Sequence, residues 1–138
     1  VDITQYRKGA NWTPNPPGGA IPPATTTLCR NEDTNRNGSI DNGEDVNGNG
    51  RLDPRKADVS IAFPEGKKTN AKGFGTVEVS WGQNVATWLD YTVTVSANAE
   101  SSEGTARRNF TTAFIEGDDK NGTFLTAPYG SGPCDSPN

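Results

Sequence analysis

Hydrophobic and polar residues alternate in short runs along most of this chain. Val1 and Ile3 alternate with Asp2 and Thr4 within residues 1–8. Val59, Ile61 and Phe63 share one face of residues 59–64. In 73–81, Val77, Val79 and Trp81 alternate with Thr76, Glu78 and Ser80. Residues 86–99 place Leu89, Tyr91, Val93 and Val95 on one face, and 106–115 offer Phe110 and Phe114 about Thr112. Period-two alternation, rich in β-branched residues and bounded by Gly, Asn and Pro, predicts strands. No amphipathic helix of useful length appears. The expected fold is a single all-β domain over 1–138, an immunoglobulin-like β-sandwich. About six strands are countable, and a complete sandwich of this kind has about seven. The sandwich therefore reads as incomplete, or as completed by a weak edge strand or by a strand from a neighbouring chain.

Two stretches break the alternation. Residues 12–28 are rich in proline, which fixes φ and removes backbone donors, so they read as an extended connector. Residues 118–123, DDKNGT, read as a hairpin turn with Asn121 and Gly122 at positive φ. A third cation site in the same run is the competing reading.

The chain has 138 residues, 30% of them hydrophobic, and a formal net charge of −4. That is one domain with a small core and long polar loops. Ordering such loops costs conformational entropy, which calls for support besides apolar burial. The acidic balance excludes nucleic acid as a partner, and no apolar run is long enough to enter a bilayer. Val1 opens no signal-peptide pattern, so it reads as a processed start or as a point within a longer chain. Cys29 and Cys134, without CxxC spacing, read as one disulfide formed in an oxidising compartment. Two buried thiols are the alternative. The Asn-x-Ser/Thr triplets at Asn11, Asn37, Asn109 and Asn121 permit glycosylation in a host that glycosylates.

The strongest chemical signal lies in the inserted segment 29–58. Asp33, Asn35, Asn37, Gly38, Ile40 and Asp41 recur twelve residues later as Asp45, Asn47, Asn49, Gly50, Leu52 and Asp53. Glu44 stands at position twelve counted from Asp33. This is the spacing of a calcium loop. A hard cation wants six to eight oxygens. Side chains at positions 1, 3 and 5 supply some of them, and glycine at 6 takes the sharp turn. Position 7, Ser39 or Arg51, turns its carbonyl inward, and the apolar residue at 8, Ile40 or Leu52, anchors the loop. Position 9 is Asp41 or Asp53, and Glu44 closes the first cage bidentately. The second loop has Lys56 at position twelve, which cannot ligate. Asp53, Asp58, or Asp41 and Glu44 borrowed from the first loop would complete it. One or two calcium ions are expected, bound with modest affinity because amides replace carboxylates. Zinc is disfavoured, since there is no His and both Cys are paired. Flanking helices of a sensor EF-hand are not foreseen, because Pro54 follows the second loop at once.

Tandem DxNxNG loops resemble those of dockerins and thrombospondin type 3 repeats. YRKG (6–9), Cys29, NED (31–33), NGSIDNGEDVNGNGRLDP (37–54), TVEVSW and ATWLDYTVTVSA more closely resemble bacterial surface proteins with immunoglobulin-like domains carrying an inserted calcium-loop pair. The resemblance covers most of residues 6–115. It implies an exported, non-enzymatic module located outside the cell or on its surface. It also implies Asp33, Asn35, Asn37, Asp41, Glu44, Asp45, Asn47, Asn49 and Asp53 as ligands.

Catalysis finds no candidate base or nucleophile. Trp12, Trp81 and Trp88 could stack on a glycan, but they read first as packing residues: Trp81 in the core, Trp88 at its edge, and Trp12 holding down the connector. Three functions follow in order. The first is a calcium-stabilised structural module of a surface protein or adhesin. The second is a filament subunit joined to other copies of itself by strand complementation. The third is a glycan- or protein-binding domain.

Overall fold

The computed structural model describes residues 1–14, 19–99 and 102–138. Among the described residues there are eight strands: β1 (Asp2–Gly9), β2 (Thr13–Pro14), β3 (Ala20–Ile21), β4 (Thr26–Arg30), β5 (Val59–Ala62), β6 (Glu78–Trp81), β7 (Leu89–Ala99) and β8 (Ser102–Thr111). The fold is all-β. One antiparallel sheet has the order β4-β1-β7-β8, and β2-β3 and β5-β6 form separate two-stranded ladders.

β1 is the centre of the molecule. Tyr6 faces Cys29 of β4 on one side and Leu89 of β7 on the other. The β1–β7 register shifts between Ile3 and Gln5. That irregularity lets Ile3 and then Tyr6 both turn inward, although simple alternation would put them on opposite faces. Around them pack Val59, Val85, Trp88, Leu89, Tyr91, Phe124, Leu125 and Tyr129. Trp88 is fully buried, and its indole Nε1 donates to the Phe124 carbonyl at 2.6 Å. Thr112 Oγ1 donates to the Val85 carbonyl at 2.7 Å, tying the end of β8 to the 3₁₀ turn Gln83–Val85. Arg7 meets Asp90 with two bonds of 2.8 Å across the β1–β7 pair. The disulfide joins Cys29 to Cys134 and fastens the C-terminal segment to β4.

Several expectations need correction. Within the extended connector over 12–28, Thr13–Pro14 pairs with Ala20–Ile21, and its last residues enter β4. Residues 15–18 of that stretch lie outside the described ones. Residues 118–123 are not a hairpin. Asp118–Lys120 form a 3₁₀ turn entered through Gly117 at φ 100°, and Asn121 has φ −153°. The expected strand 73–81 is ordered as a strand only at Glu78–Trp81. The strand expected over 106–115 ends at Thr111, because Thr112 is drawn into the core by its hydroxyl. Trp81 and Trp88 exchange roles: Trp88 is core, and Trp81 is half-buried.

The β7–β8 pair outruns the core that it starts in. Leu89 and Tyr91 are buried, Val93 is half-buried and Val95 is exposed. On β8, Phe110 is exposed although it stacks on Tyr91 at 5.5 Å. The inward face of the hairpin is thus largely apolar, with Arg108 opposite Val93, and only partly covered.

Burial also sets the alkaline limit of this fold. Desolvation pushes the Tyr6 hydroxyl up to about 12 and raises Tyr129 strongly, Asp58 beside it adding to the effect. An unfolded chain ionises both near the ordinary tyrosine value of about 10. Between that value and the folded one, the native state holds the extra protons, so stability falls as pH rises through the window. We expect unfolding, followed by circular dichroism, to begin above about pH 10 and to coincide with a cooperative rise in tyrosinate absorbance. A tyrosinate signal complete well before unfolding would contradict this burial.

Candidate metal centre

The polar segment hangs from β1. The Asn31 amide donates to the Ile3 carbonyl at 2.6 Å, and the Asn31 backbone N–H reaches the Thr4 carbonyl at 3.2 Å. From there the chain makes two loops with the same internal bonding. Asp33 Oδ2 accepts the Gly38 N–H at 2.9 Å, and Asp45 Oδ2 accepts the Gly50 N–H at 2.9 Å. Gly38 and Gly50 both sit at φ 81°, which a Cβ would strain. Asn35 Oδ1 accepts the Asn37 N–H at 2.9 Å, and Asn47 Oδ1 accepts the Asn49 N–H at 3.0 Å. The next step repeats as well: Asn37 Oδ1 takes the Ser39 N–H at 2.7 Å, and Asn49 Oδ1 takes that of Arg51 at 3.0 Å. Asp41 Oδ2 receives the amides of Asn35 and Asn37 at 2.7 and 2.8 Å. Asp53 Oδ2 receives those of Asn47 and Asn49 at 3.0 and 2.7 Å. The sequence repeat is therefore also a geometric repeat.

Counted from the glutamates, the repeat units are 32–43 and 44–55, and each unit is braced by the glutamate of the other. Glu44 Oε1 accepts the backbone N–H of Thr34 at 2.9 Å and of Asn35 at 3.3 Å, and the Thr34 hydroxyl at 2.7 Å. Its Oε2 accepts the Asp41 N–H at 3.2 Å. Glu32 does the same for the second loop: Oε1 takes the Asn47 N–H at 3.2 Å, and Oε2 takes the Asp53 N–H at 2.9 Å. Glu32 and Glu44 are themselves twelve residues apart, so each repeat unit carries one glutamate and lends it to its twin. Sequence reasoning missed Glu32 because it began the repeat at Asp33. The offset that found the other six positions finds this one too.

The two glutamates differ in charge balance. The Thr34 hydroxyl, helped by the backbone donors, holds the Glu44 carboxyl below its ordinary value. Burial pushes the Glu32 carboxyl up, against its two backbone donors.

The loops also differ in how fully their oxygens are used. In the second, Asp53 takes Arg51 Nε on Oδ1 at 3.0 Å in addition to its two amides. In the first, Asp33 is only 2% exposed, and its Oδ1 is buried without a hydrogen-bond partner. A buried carboxylate oxygen left unpaired is costly, and native structures rarely leave one without a reason. It sits at position 1 of the loop, and its sister oxygen is held by the glycine at position 6.

Other expected contributors fall elsewhere. Lys56 Nζ donates to the Arg36 carbonyl at 3.0 Å, bridging back to the first loop. Asp58 accepts Tyr129 Oη at 3.0 Å and the Arg55 N–H at 3.0 Å, so it is engaged outside the second loop. Leu52 is buried as an anchor, but Ile40 is 49% exposed and anchors nothing. The first loop lies farther out, where no core surface reaches it. Among the described residues, no group of three or more His, Cys, Asp or Glu side chains gathers to hold a metal. A cation here would draw on amide and main-chain oxygens as well as carboxylates. Each Asn Oδ1 that accepts one backbone N–H retains a lone pair for that purpose. The donor set is hard, all oxygen, and suits calcium far better than a softer metal.

The tryptophans do not form one open platform. Trp88 is buried, Trp81 Nε1 donates to the Ala113 carbonyl at 2.9 Å, and Trp12 packs edge-on against Phe114 and Phe124. No protein family, curated protein or solved structure matches this chain.

Proposed function

We propose that this chain is a non-enzymatic structural module, stabilised by calcium, of a protein exported to the cell surface. Its architecture is read as an immunoglobulin-like sandwich in which β5–β6 covers part of one face of the main sheet. The observation that carries the calcium reading is the buried, unpartnered Asp33 Oδ1 inside a loop of calcium-loop spacing. Asp33, Asn35, Asn37 and Asp41 would hold the ion together with the Ser39 carbonyl, and Glu44 would close or brace the loop. Asp45, Asn47, Asn49, Asp53 and the Arg51 carbonyl would form the second site, with Glu32 in the place of the missing position twelve. The amide-rich set predicts dissociation constants of about 10⁻⁴–10⁻³ M, suited to an extracellular concentration of calcium. The disulfide is compatible with such a compartment.

The test is a thermal melt of the oxidised protein in millimolar calcium against excess chelator. Saturation of one site at ten times its dissociation constant adds about 1.4 kcal/mol, which raises the midpoint by several degrees. An unchanged midpoint at ten millimolar calcium would remove the main support for this reading.

A second reading is assembly with other copies or with neighbouring domains. It is favoured by the partly covered apolar face, where Phe63, Val77, Val95 and Phe110 are exposed, and by the free β8 edge of the sheet. Unfinished apolar faces and open edges are what strand complementation uses.

A further inference from the structure

The free edge at β8 has features of a self-pairing surface. β8 is the outermost strand of the four-stranded sheet, and ten successive residue pairs join it to β7 with no shift in register. It contains no proline, and residues 103–111 are exposed along its length. Edge strands that must stay single are normally short, bulged or interrupted. This one is long and regular. The opposite edge, β4, has five residues, and the C-terminal segment lies against it, Cys134 Sγ standing 3.7 Å from the Leu28 carbonyl.

Two of the three charges on β8 are placed symmetrically, and the third, Arg108, lies on the other face. Glu103 and Arg107 lie on the same face, each two residues from Thr105, and neither has an ion-pair partner among the described residues. Within one strand they are too far apart to meet, since four residues of strand span about 13 Å. We infer that β8 pairs antiparallel with β8 of a second copy, about a two-fold axis at Thr105. In that register Glu103 faces Arg107 of the partner subunit, and the symmetry makes the pair twice. Gly104 faces Ala106 of the partner subunit on the other side of the sheet, where small side chains offer no obstruction. Sliding the axis to Arg107 sets two arginines face to face. Sliding it to Glu103 does the same with two glutamates. Shifting it by one residue, to Gly104 or Ala106, leaves both charges without an opposite partner. An odd offset would put the apolar and polar faces on opposite sides, which pairing within one sheet does not allow. Charge complementarity therefore selects one register, and a self-complementary patch is what a two-fold dimer requires.

This inference rests on the assembly reading above and gives it a partner and a register. Strand pairing of this size buries little area, so the dimer is weak. Sedimentation equilibrium at rising concentration measures it. Each single reversal, Glu103→Arg or Arg107→Glu, alters two pairs per dimer and is expected to weaken association about tenfold. The double variant carrying both reversals restores it, which no misfolded surface would do. Thr105→Cys, at the axis, is expected to give a covalent dimer under mild oxidation, and Thr94→Cys is not. Association that ignores both reversals, without cross-linking through Thr105→Cys, overturns the β8 pairing and leaves assembly by another surface. A strict monomer at millimolar concentration overturns both.

Discussion

Removing the Cys29–Cys134 bridge is expected to cost about 4–5 kcal/mol of stability in the chain-entropy picture, because the bridge closes a loop of about a hundred residues. The sequence separation is 105 of 138 residues, so the closed loop holds most of the chain, with β1 to β3 outside it. For a single domain, total stability is commonly about 5–15 kcal/mol, and here the core is small. The double variant Cys29→Ser with Cys134→Ser should therefore be marginal or unfolded at ambient temperature. Local contacts reinforce the entropic effect. The C-terminal segment that Cys134 fastens also accepts a hydrogen bond from buried Lys8 at the Ser136 carbonyl, and Gly130 receives the Gly9 N–H at 3.0 Å. Tyr129, on the same segment, packs edge-on against Tyr6 at 4.9 Å. If this segment frays, Lys8 loses its partner and Tyr6 loses its cover. Urea unfolding of the oxidised protein and the double variant measures the difference. A loss under about 1 kcal/mol would mean that the unfolded chain is already compact enough to make the cross-link redundant.

The strands that packing decides were legible, and those that pairing decides were not. β5 and β7 follow from alternation, since one side of each faces the core; β1 follows only in part, because its register shift turns both Ile3 and Tyr6 inward. β4 was hidden in the threonines that end the connector. Only Cys29 of its five residues is buried, so no alternation marks it, and its place comes from hydrogen bonding to β1. The outer half of β7–β8 misled in the other direction. Its apolar residues alternate correctly, yet Val95 and Phe110 remain exposed because the hairpin extends past the surface that would bury them. In the loops, the repeat positions were readable because each has a fixed job in the turn chemistry. Ile40 read as an anchor, like Leu52, from its place at position 8 of the loop, but an anchor needs a core within reach, and that is a tertiary fact. Glu32 was legible in principle from the same offset of twelve. What the sequence alone could not supply is the exchange of glutamates between the loops, which depends on how the chain folds back on itself.

That exchange leads to the second large effect. Glu32→Ala is expected to destabilise the protein by about 2–4 kcal/mol even in chelator, since it strands the backbone N–H groups of Asn47 and Asp53 in a buried place. Asn47 and Asp53 are 3% and 1% exposed, so water cannot readily replace the lost acceptor. Glu32→Gln keeps one acceptor oxygen and the volume, so it should lose less than the alanine variant. Glu44→Ala should differ in kind. Glu44 braces the outer loop, where Thr34 and Asn35 are exposed and water can take over the freed N–H groups. Its cost should appear mainly in calcium, as a smaller rise in melting temperature, and little in chelator. The two variants thus separate a structural brace from a cation-linked one. Melts of both, each with calcium and with chelator, make the comparison. Equal losses at Glu44 in the two conditions would show that it contributes nothing through a cation. A Glu32→Ala protein as stable as the parent in chelator would show that the reciprocal brace holds nothing together. The buried unpartnered oxygen supplies the third arm. Asp33→Asn leaves the Gly38 N–H an oxygen to bond while removing the charge, so it should be tolerated in chelator and should abolish the calcium-dependent rise. If that rise survives unchanged, the ion sits elsewhere, and Asp33 Oδ1 needs another explanation.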